Sequence, residues 1–206
     1  MTRPYSIQFD RAKFKDAVLY ICSTCEPELL GAVKLNKVLY LADMFRFAVE
    51  GTPLTGAPYR KRPFGPTTDA LLPTIRELEE DGALKVAEQD YFGYKKKMYL
   101  SLRKPDIHRF NSDEIAWLNE VVDFVCRGNS AKTISEFTHN RAWEVVEAGE
   151  EIPYHNAFYF FPTFVSQETV EWGLKQAAQI ETEKSKRSEM EHTNLVDFRK
   201  RMARAN

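Results

Sequence analysis

The sequence predicts a mainly α (α+β) fold: a helical domain with a winged-helix-like core and one antiparallel β-hairpin. Three observations carry this expectation. Apolar residues recur at helical spacing in successive windows, most clearly over residues 32–49. An alternating apolar pattern occupies residues 83–102 around a polar turn. Of the 206 residues 43% are hydrophobic, enough to bury one sizeable core.

Residues 10–25 read as the first helix, with Asp10 at its N-cap and Phe14, Ala17, Val18, Ile21, Cys22 and Cys25 on the buried face. The second, residues 32–49, has a very wide apolar face, with Lys34, Asn36 and Lys37 expected on its wet side near the start, and is followed by Gly51, a residue suited to a helix end. A Pro- and Gly-rich loop covers 51–66, long enough to suggest function. Its centre, Tyr59 to Phe64, sets three cations between aromatics. Thr67, Thr68 or Asp69 can cap a third helix running to Asp81, although Pro73, tolerated only in a first turn, allows a start later than Thr68, with Leu72, Ile75 and Leu78 or Glu79 on its inward face. Strands follow at 83–88 and 95–102, with Leu84 and Val86 facing Met98, Leu100 and Leu102. This order of three helices and a hairpin is that of a winged helix.

Asn111 with Glu114 resembles a capping box at the start of a helix over 112–127, whose inward residues are Ile115, Leu118, Val122 and Val125. Ser130 caps a short helix through Phe137, and another runs from Asn140 through Val146. Residues 150–165 are aromatic and non-periodic. Ser166 opens a last, charged helix toward Asn206. The expected division is a domain over 1–165 and a charged helical extension over 166–206.

Lysine and arginine total 29 and aspartate and glutamate 30, a formal charge of −1. Proteins that live on phosphate neutralisation are usually strongly basic, so the balance weakens a nucleic-acid reading. Three cysteines are too few for a disulfide framework, the N-terminus is polar, and no apolar run approaches the roughly 20 residues of a membrane span. A cytoplasmic protein without membrane association is expected.

Chemical signatures are sparse. Cys22-x-x-Cys25, with Cys126 and His139, is a conceivable zinc set, but both paired cysteines fall on an apolar helix face. Small buried thiols are the preferred reading, and no metal is assigned. Zinc-protease, nucleotide-loop and serine-hydrolase motifs are absent from the sequence, so no catalytic residue and no cofactor is assigned. The clusters Arg60-Lys61-Arg62, Lys95-Lys96-Lys97 and Arg199-Lys200-Arg201 suit a nucleic-acid backbone, a solvated surface or an acidic partner alike. Thr138-His139-x-x-x-Trp143 reads either as a docking element or as a capping histidine beside a core tryptophan.

A set of short motifs occurs in order. Lys34-Leu35-Asn36-Lys37-Val38-Leu39-Tyr40-Leu41-Ala42-Asp43 comes first, then Gly51-Thr52-Pro53-Leu54-Thr55-Gly56, Tyr59, Phe64-Gly65-Pro66, Asp81-Gly82, His139 with Trp143, and Ile152-Pro153-Tyr154. Over roughly residues 12–160 the chain resembles the Panacea domain, the SocA-like antitoxin family also found in phage-associated proteins. The resemblance implies an antitoxin of a two-gene toxin–antitoxin system, acting by direct binding to its cognate toxin. In some members it implies delivery of the toxin to a protease. It implies neither cofactor nor catalysis.

The motif residues Lys34, Leu35, Lys37, Tyr40, Asp43, Gly56, Tyr59, Gly65, Pro66, His139, Trp143, Pro153 and Tyr154 are expected mainly as scaffold, with Asp43 accepting a hydrogen bond from the following loop. The expected partner contacts are Arg60, Lys61, Arg62, Phe64, Phe158, Tyr159, Phe160 and Phe161, since this aromatic stretch exceeds what a connector needs. A winged-helix-like DNA-binding regulator is the alternative function.

Overall fold

Helix α1 (Arg11–Thr24) is capped by Asp10, whose carboxylate accepts the Lys13 amide at 2.9 Å. The computed structural model to which it belongs describes residues 7–91 and 93–160, and positions 171, 175, 176 and 179. The chain divides into two compact units, Met1–Phe161 and Pro162–Asn206. The expected helix after Ser166 lies outside the described residues apart from positions 171, 175, 176 and 179, which are helical.

Helix α2 (Ala32–Glu50) is the central element and touches α1, the later helices over 112–122 and 131–138, and the 154–160 segment. Gly51 ends it in the left-handed conformation, φ +72°, with its amide bonded to the Phe47 carbonyl. Leu35, Val38, Leu39, Leu41 and Ala42 are buried with Phe14, Ala17, Val18 and Ile21 of α1 in one core. Burial on so many sides explains why α2 lacks the clean amphipathic stripe of a surface helix.

Helix α3 (Leu71–Glu80) starts after Thr68, which places Pro73 in its first turn, where proline is tolerated. Thr67 pairs through its backbone with Arg60, and Asp69 is bound to the Arg60 and Arg62 guanidiniums, so neither caps α3. The shift puts Leu71 inside with Thr74, Ile75 and Leu78, and leaves Leu72 61% exposed, against its expected inward position.

Strands β1 (Leu84–Tyr91) and β2 (Tyr94–Ser101) form a longer antiparallel hairpin than expected. Leu84 pairs with Ser101 and Val86 with Tyr99. Cross-strand partners share a face, so Leu84, Val86 and Tyr99 point inward. Met98 and Leu100 are only partly buried and Leu102 is exposed. The expected buried face of β2 is therefore off by one residue.

Helix α4 (Ser112–Val122) opens with the expected capping box. Asn111 accepts the Glu114 amide at 2.8 Å and the Glu114 carboxylate accepts the Asn111 amide at 3.2 Å. Glu114 also pairs with Lys13 at 2.8 Å and Arg46 at 3.3 Å, tying α1, α2 and α4 together. Removing the cap with Asn111→Ala should cost about 1 kcal/mol in urea unfolding, typical of a lost N-cap. After Val122 the helix continues as a π-helical turn, Asp123–Arg127, which still carries Val125 inward. Helix α5 (Ala131–Thr138) is capped by Ser130 as expected, while α6 (Arg141–Glu144) is a single turn capped by Asn140 and stops before Val146. A 3₁₀-helical segment, Tyr154–Phe160, closes the described core.

Candidate functional site

Lys37, Tyr40 and Asp43 recur every three residues along α2 and are all buried, so Lys37, like Lys34, is not on the expected wet side but covered by the packed chain. Spacing of three keeps them near one face of the helix. That face receives the 51–68 loop and the chain from His139 to Phe160.

One end of the stripe is Asp43. Its carboxylate accepts the Thr55 amide at 2.6 Å, the Thr55 hydroxyl at 2.7 Å, the Gly56 amide at 3.3 Å and the Tyr59 hydroxyl at 2.7 Å. Burial raises the Asp43 carboxyl above the ordinary value, and these hydrogen bonds pull the other way. Gly56 adopts φ +73°, and a Cβ there would run into the backbone carbonyl of Gln8. Tyr59 stacks edge-on against Tyr40 at 5.2 Å, and the Tyr154 hydroxyl donates to the Ala57 carbonyl at 2.7 Å. The Tyr40 hydroxyl is buried without a hydrogen-bond partner among the described residues.

The other end is Lys37, 1% exposed. Its ammonium donates to the carbonyls of Phe64 at 3.1 Å and Pro66 at 3.4 Å. No carboxylate is within ion-pair distance among the described residues. Burial pushes its pKa down to about 7. Gly65 makes the turn over it at φ +94°, where a Cβ would meet the Lys37 ammonium and the His139 ring. His139 stacks on Trp143 at 4.3 Å and 14°, and Lys61 lies 4.2 Å from the Trp143 ring centroid. Burial first, then the Lys37 charge, holds His139 below its ordinary pKa. Lys34, also buried, donates to the Cys126 carbonyl at 2.7 Å.

The loop itself is sewn down by backbone pairing. Arg60 exchanges hydrogen bonds with Thr67, Lys61 with Glu150 and Gly149, and the Ile152 amide reaches the Tyr59 carbonyl at 2.7 Å. Pro153 accepts the Asn156 amide at 2.9 Å and so starts the 154–160 turn.

This ordered, buried joint between α2, the loop and the 139–154 chain is made of the sequence motifs. The family model for the SocA-like antitoxin, Panacea domain matches residues 35–144, just over half of the chain. The chain belongs to this antitoxin family. No curated protein and no solved structure gives a significant match.

The Panacea residues are thus the fastening of the fold. Of the residues expected to touch a partner, the cations are engaged within the chain. Arg60 and Arg62 pair with Asp69 at 3.4 and 3.2 Å, and Lys61 donates to the Val146 carbonyl at 2.7 Å and the Glu144 carbonyl at 3.2 Å. Phe64 is 79% exposed, Phe158 54% and Tyr159 48%. Phe160 is partly buried, 5.1 Å from Phe45 and 5.9 Å from Phe137 by ring centroids. Phe161 lies outside the described residues. Sequence reading missed Thr55 as Asp43's double partner, and Asn156, whose amide donates to the Ala142 carbonyl at 3.0 Å. Both are small polar residues in Pro-rich stretches, with no periodicity to mark them as buried.

The three thiols are free and buried. Burial pushes Cys22 up to about 12, the direction of an inert core thiol. No group of three or more His, Cys, Asp or Glu side chains is placed to hold a metal among the described residues. No helix among them is long and apolar enough to cross a membrane.

Proposed function

We propose that this protein is an antitoxin that neutralises a cognate toxin by direct protein–protein binding, with no catalytic step of its own. The family match supports the class. The observation that supports the mode is the exposure of Phe64, Phe158 and Tyr159, whereas Lys37, Tyr40, Asp43, Tyr59, Gly65, Pro66 and Tyr154 are buried. Exposed aromatics on a rigid support are the residues that most often dominate binding energy. Arg141 lies 5.5 Å from the Tyr159 ring and adds a second residue type favoured at interfaces.

The reading as a DNA-binding regulator draws no support from α3, the helix at the recognition position. Arg76 stands there against Glu77, Glu79 and Glu80, a charge pattern that phosphate repels.

Co-expression with the neighbouring gene product tests the proposal. The expected result is a toxic neighbour whose toxicity this protein suppresses. A triple variant, Phe64→Ala, Phe158→Ala and Tyr159→Ala, should weaken the complex by about 2–4 kcal/mol while leaving the thermal midpoint nearly unchanged. A harmless neighbour, or one still harmful beside the wild-type chain, would refute the reading. Toxin half-life in the same cells separates simple sequestration, which we favour, from delivery to a cytoplasmic protease.

A further inference from the structure

The end of α1 is tied to the π-helical turn Asp123–Arg127 from both sides of Cys25. The Arg127 guanidinium donates to the Thr24 carbonyl at 3.0 Å and pairs with the Glu26 carboxylate at 3.1 Å. The Lys34 ammonium fixes the Cys126 carbonyl at 2.7 Å. These ties set Cys25 against Cys126, both of them buried. The Cys25 thiol rests on the Glu26 carbonyl at 3.6 Å, and its sulfur accepts a hydrogen bond from the Cys126 thiol. Cys126 stands inside the π turn, which the Gly128 amide closes by reaching back to the Asp123 carbonyl at 2.8 Å. Such wide turns are rare and gather at functional sites.

The two thiols are not equivalent. Cys25 belongs to the wall of an open cleft of about 680 Å³ between the end of α1 and residues 100–105, and Cys126 does not line it. The hydrogen bond from Cys126, with the charges of Arg127 and Lys34, holds the Cys25 thiol below its ordinary pKa against burial and the Glu26 carboxylate. The same hydrogen bond and burial push Cys126 up. Cys22 also lines the cleft, but burial pushes its thiol up to about 12 and keeps it protonated. Cys25 therefore ionises first, beside a cleft, with a second thiol in contact. An exposed-side attacking thiol backed by a resolving thiol is the arrangement of redox-sensitive cysteines.

We propose that Cys25 and Cys126 form an oxidation site, a dithiol that hydrogen peroxide converts reversibly into a disulfide. The Cys25 thiolate attacks one peroxide oxygen and the O–O bond breaks. Cys25 becomes a sulfenic acid, and the hydroxide released takes up the proton that Cys25 lost. The Cys126 sulfur then attacks the Cys25 sulfur, the S–OH bond breaks, and the departing hydroxide takes the Cys126 proton. The sulfurs are oxidised and the peroxide oxygens reduced, so two thiols and one peroxide become one disulfide and two waters. The bridge fastens the end of α1 covalently to the turn that precedes α5. The proposal stands apart from the antitoxin reading and holds whether or not the partner is a toxin.

The test uses the full chain, reduced, freed of reductant and treated with a small excess of hydrogen peroxide. Remaining thiols are then alkylated in denaturant and the peptides mapped by mass spectrometry. The expected product keeps Cys22 as its one free thiol and carries a cross-link from Cys25 to Cys126 that dithiothreitol releases. Folded protein should yield roughly tenfold more of this cross-link than the same chain in urea, where a loop of about 100 residues must close by chance. Cys126→Ser should leave Cys25 as a sulfenic acid that dimedone traps, and Cys22→Ala should leave the bridge intact. The wild-type map decides the question even where a variant fails to fold. Three free thiols after peroxide, a bridge to Cys22, a bridge only between chains, or as much of the Cys25–Cys126 bridge in urea as in the folded protein would each overturn the proposal.

Discussion

Asp43→Ala should destabilise the protein by about 4 kcal/mol in urea unfolding, the largest loss expected from any single truncation at the motif joint. The substitution strands four donors inside the core: the amides of Thr55 and Gly56 and the hydroxyls of Thr55 and Tyr59. Each buried orphan carries a desolvation penalty of about 1–3 kcal/mol, and local relaxation recovers only part of the total. Asp43→Asn should cost far less, about 1–2 kcal/mol. Its carbonyl oxygen still accepts the two amides, and the two hydroxyls can rotate to accept from its NH₂ group. The pair also has a pH signature. Burial raises the Asp43 carboxyl in the folded state, so the native protein holds its proton to higher pH than the unfolded chain does. That contribution to wild-type stability falls as pH rises above the ordinary carboxylate range. The asparagine variant lacks it, so its deficit should narrow as pH rises above the ordinary carboxylate range. A deficit that widens instead would mean that Asp43 is held as a stabilised anion.

The Asp43 joint was partly legible because it is written on one helix. Tyr40 and Asp43 lie one turn apart, and a carboxylate facing a Pro-rich loop invites loop donors, whereas Lys37, expected in water, is buried under a turn that only the folded loop brings to it. The Asn111–Glu114 box was legible for the same reason, being entirely local. What failed was decided at a distance. In β2 the residues Met98, Leu100 and Leu102 alternate as convincingly as any buried face, yet Tyr99 is the one inside. The face was set by its partner Val86 across the hairpin, and one residue of slip exchanges the two faces. In α3 two leucines stand side by side, and the inward one depends on where the helix begins. That start moved because Thr67 and Asp69 serve the Arg60–Arg62 segment. The same long-range pairing ties the basic triplet to the folded chain in a way its three-residue run does not reveal. Its acceptors, the carbonyls at 144, 146 and 149 and the carboxylate of Asp69, are brought to it only by the folded chain.

Lys37 should give the protein a stability that rises with pH through neutrality. Its folded-state pKa is pushed down to about 7 by burial, from an ordinary value of 10.5. Below pH 7 both folded and unfolded chains carry the proton, and the full cost of burying an ammonium is present. Above pH 7 the folded chain releases it while the unfolded chain keeps it, so stability climbs until the unfolded lysine also titrates. The useful window is pH 7 to 8.5. His139, also shifted down, has largely finished titrating in both states below it. Above it the buried Cys22, shifted up, starts to act with the opposite sign. Across that window the Lys37 contribution should amount to about 1.5 kcal/mol, read as the difference between wild type and Lys37→Met in parallel urea titrations. The methionine keeps the length of the side chain and removes the proton, so its own profile should lack this rise. If wild type and variant change in parallel, Lys37 stays charged in the core, and the carbonyls of Phe64 and Pro66 at the Gly65 turn stabilise its ammonium enough to offset burial.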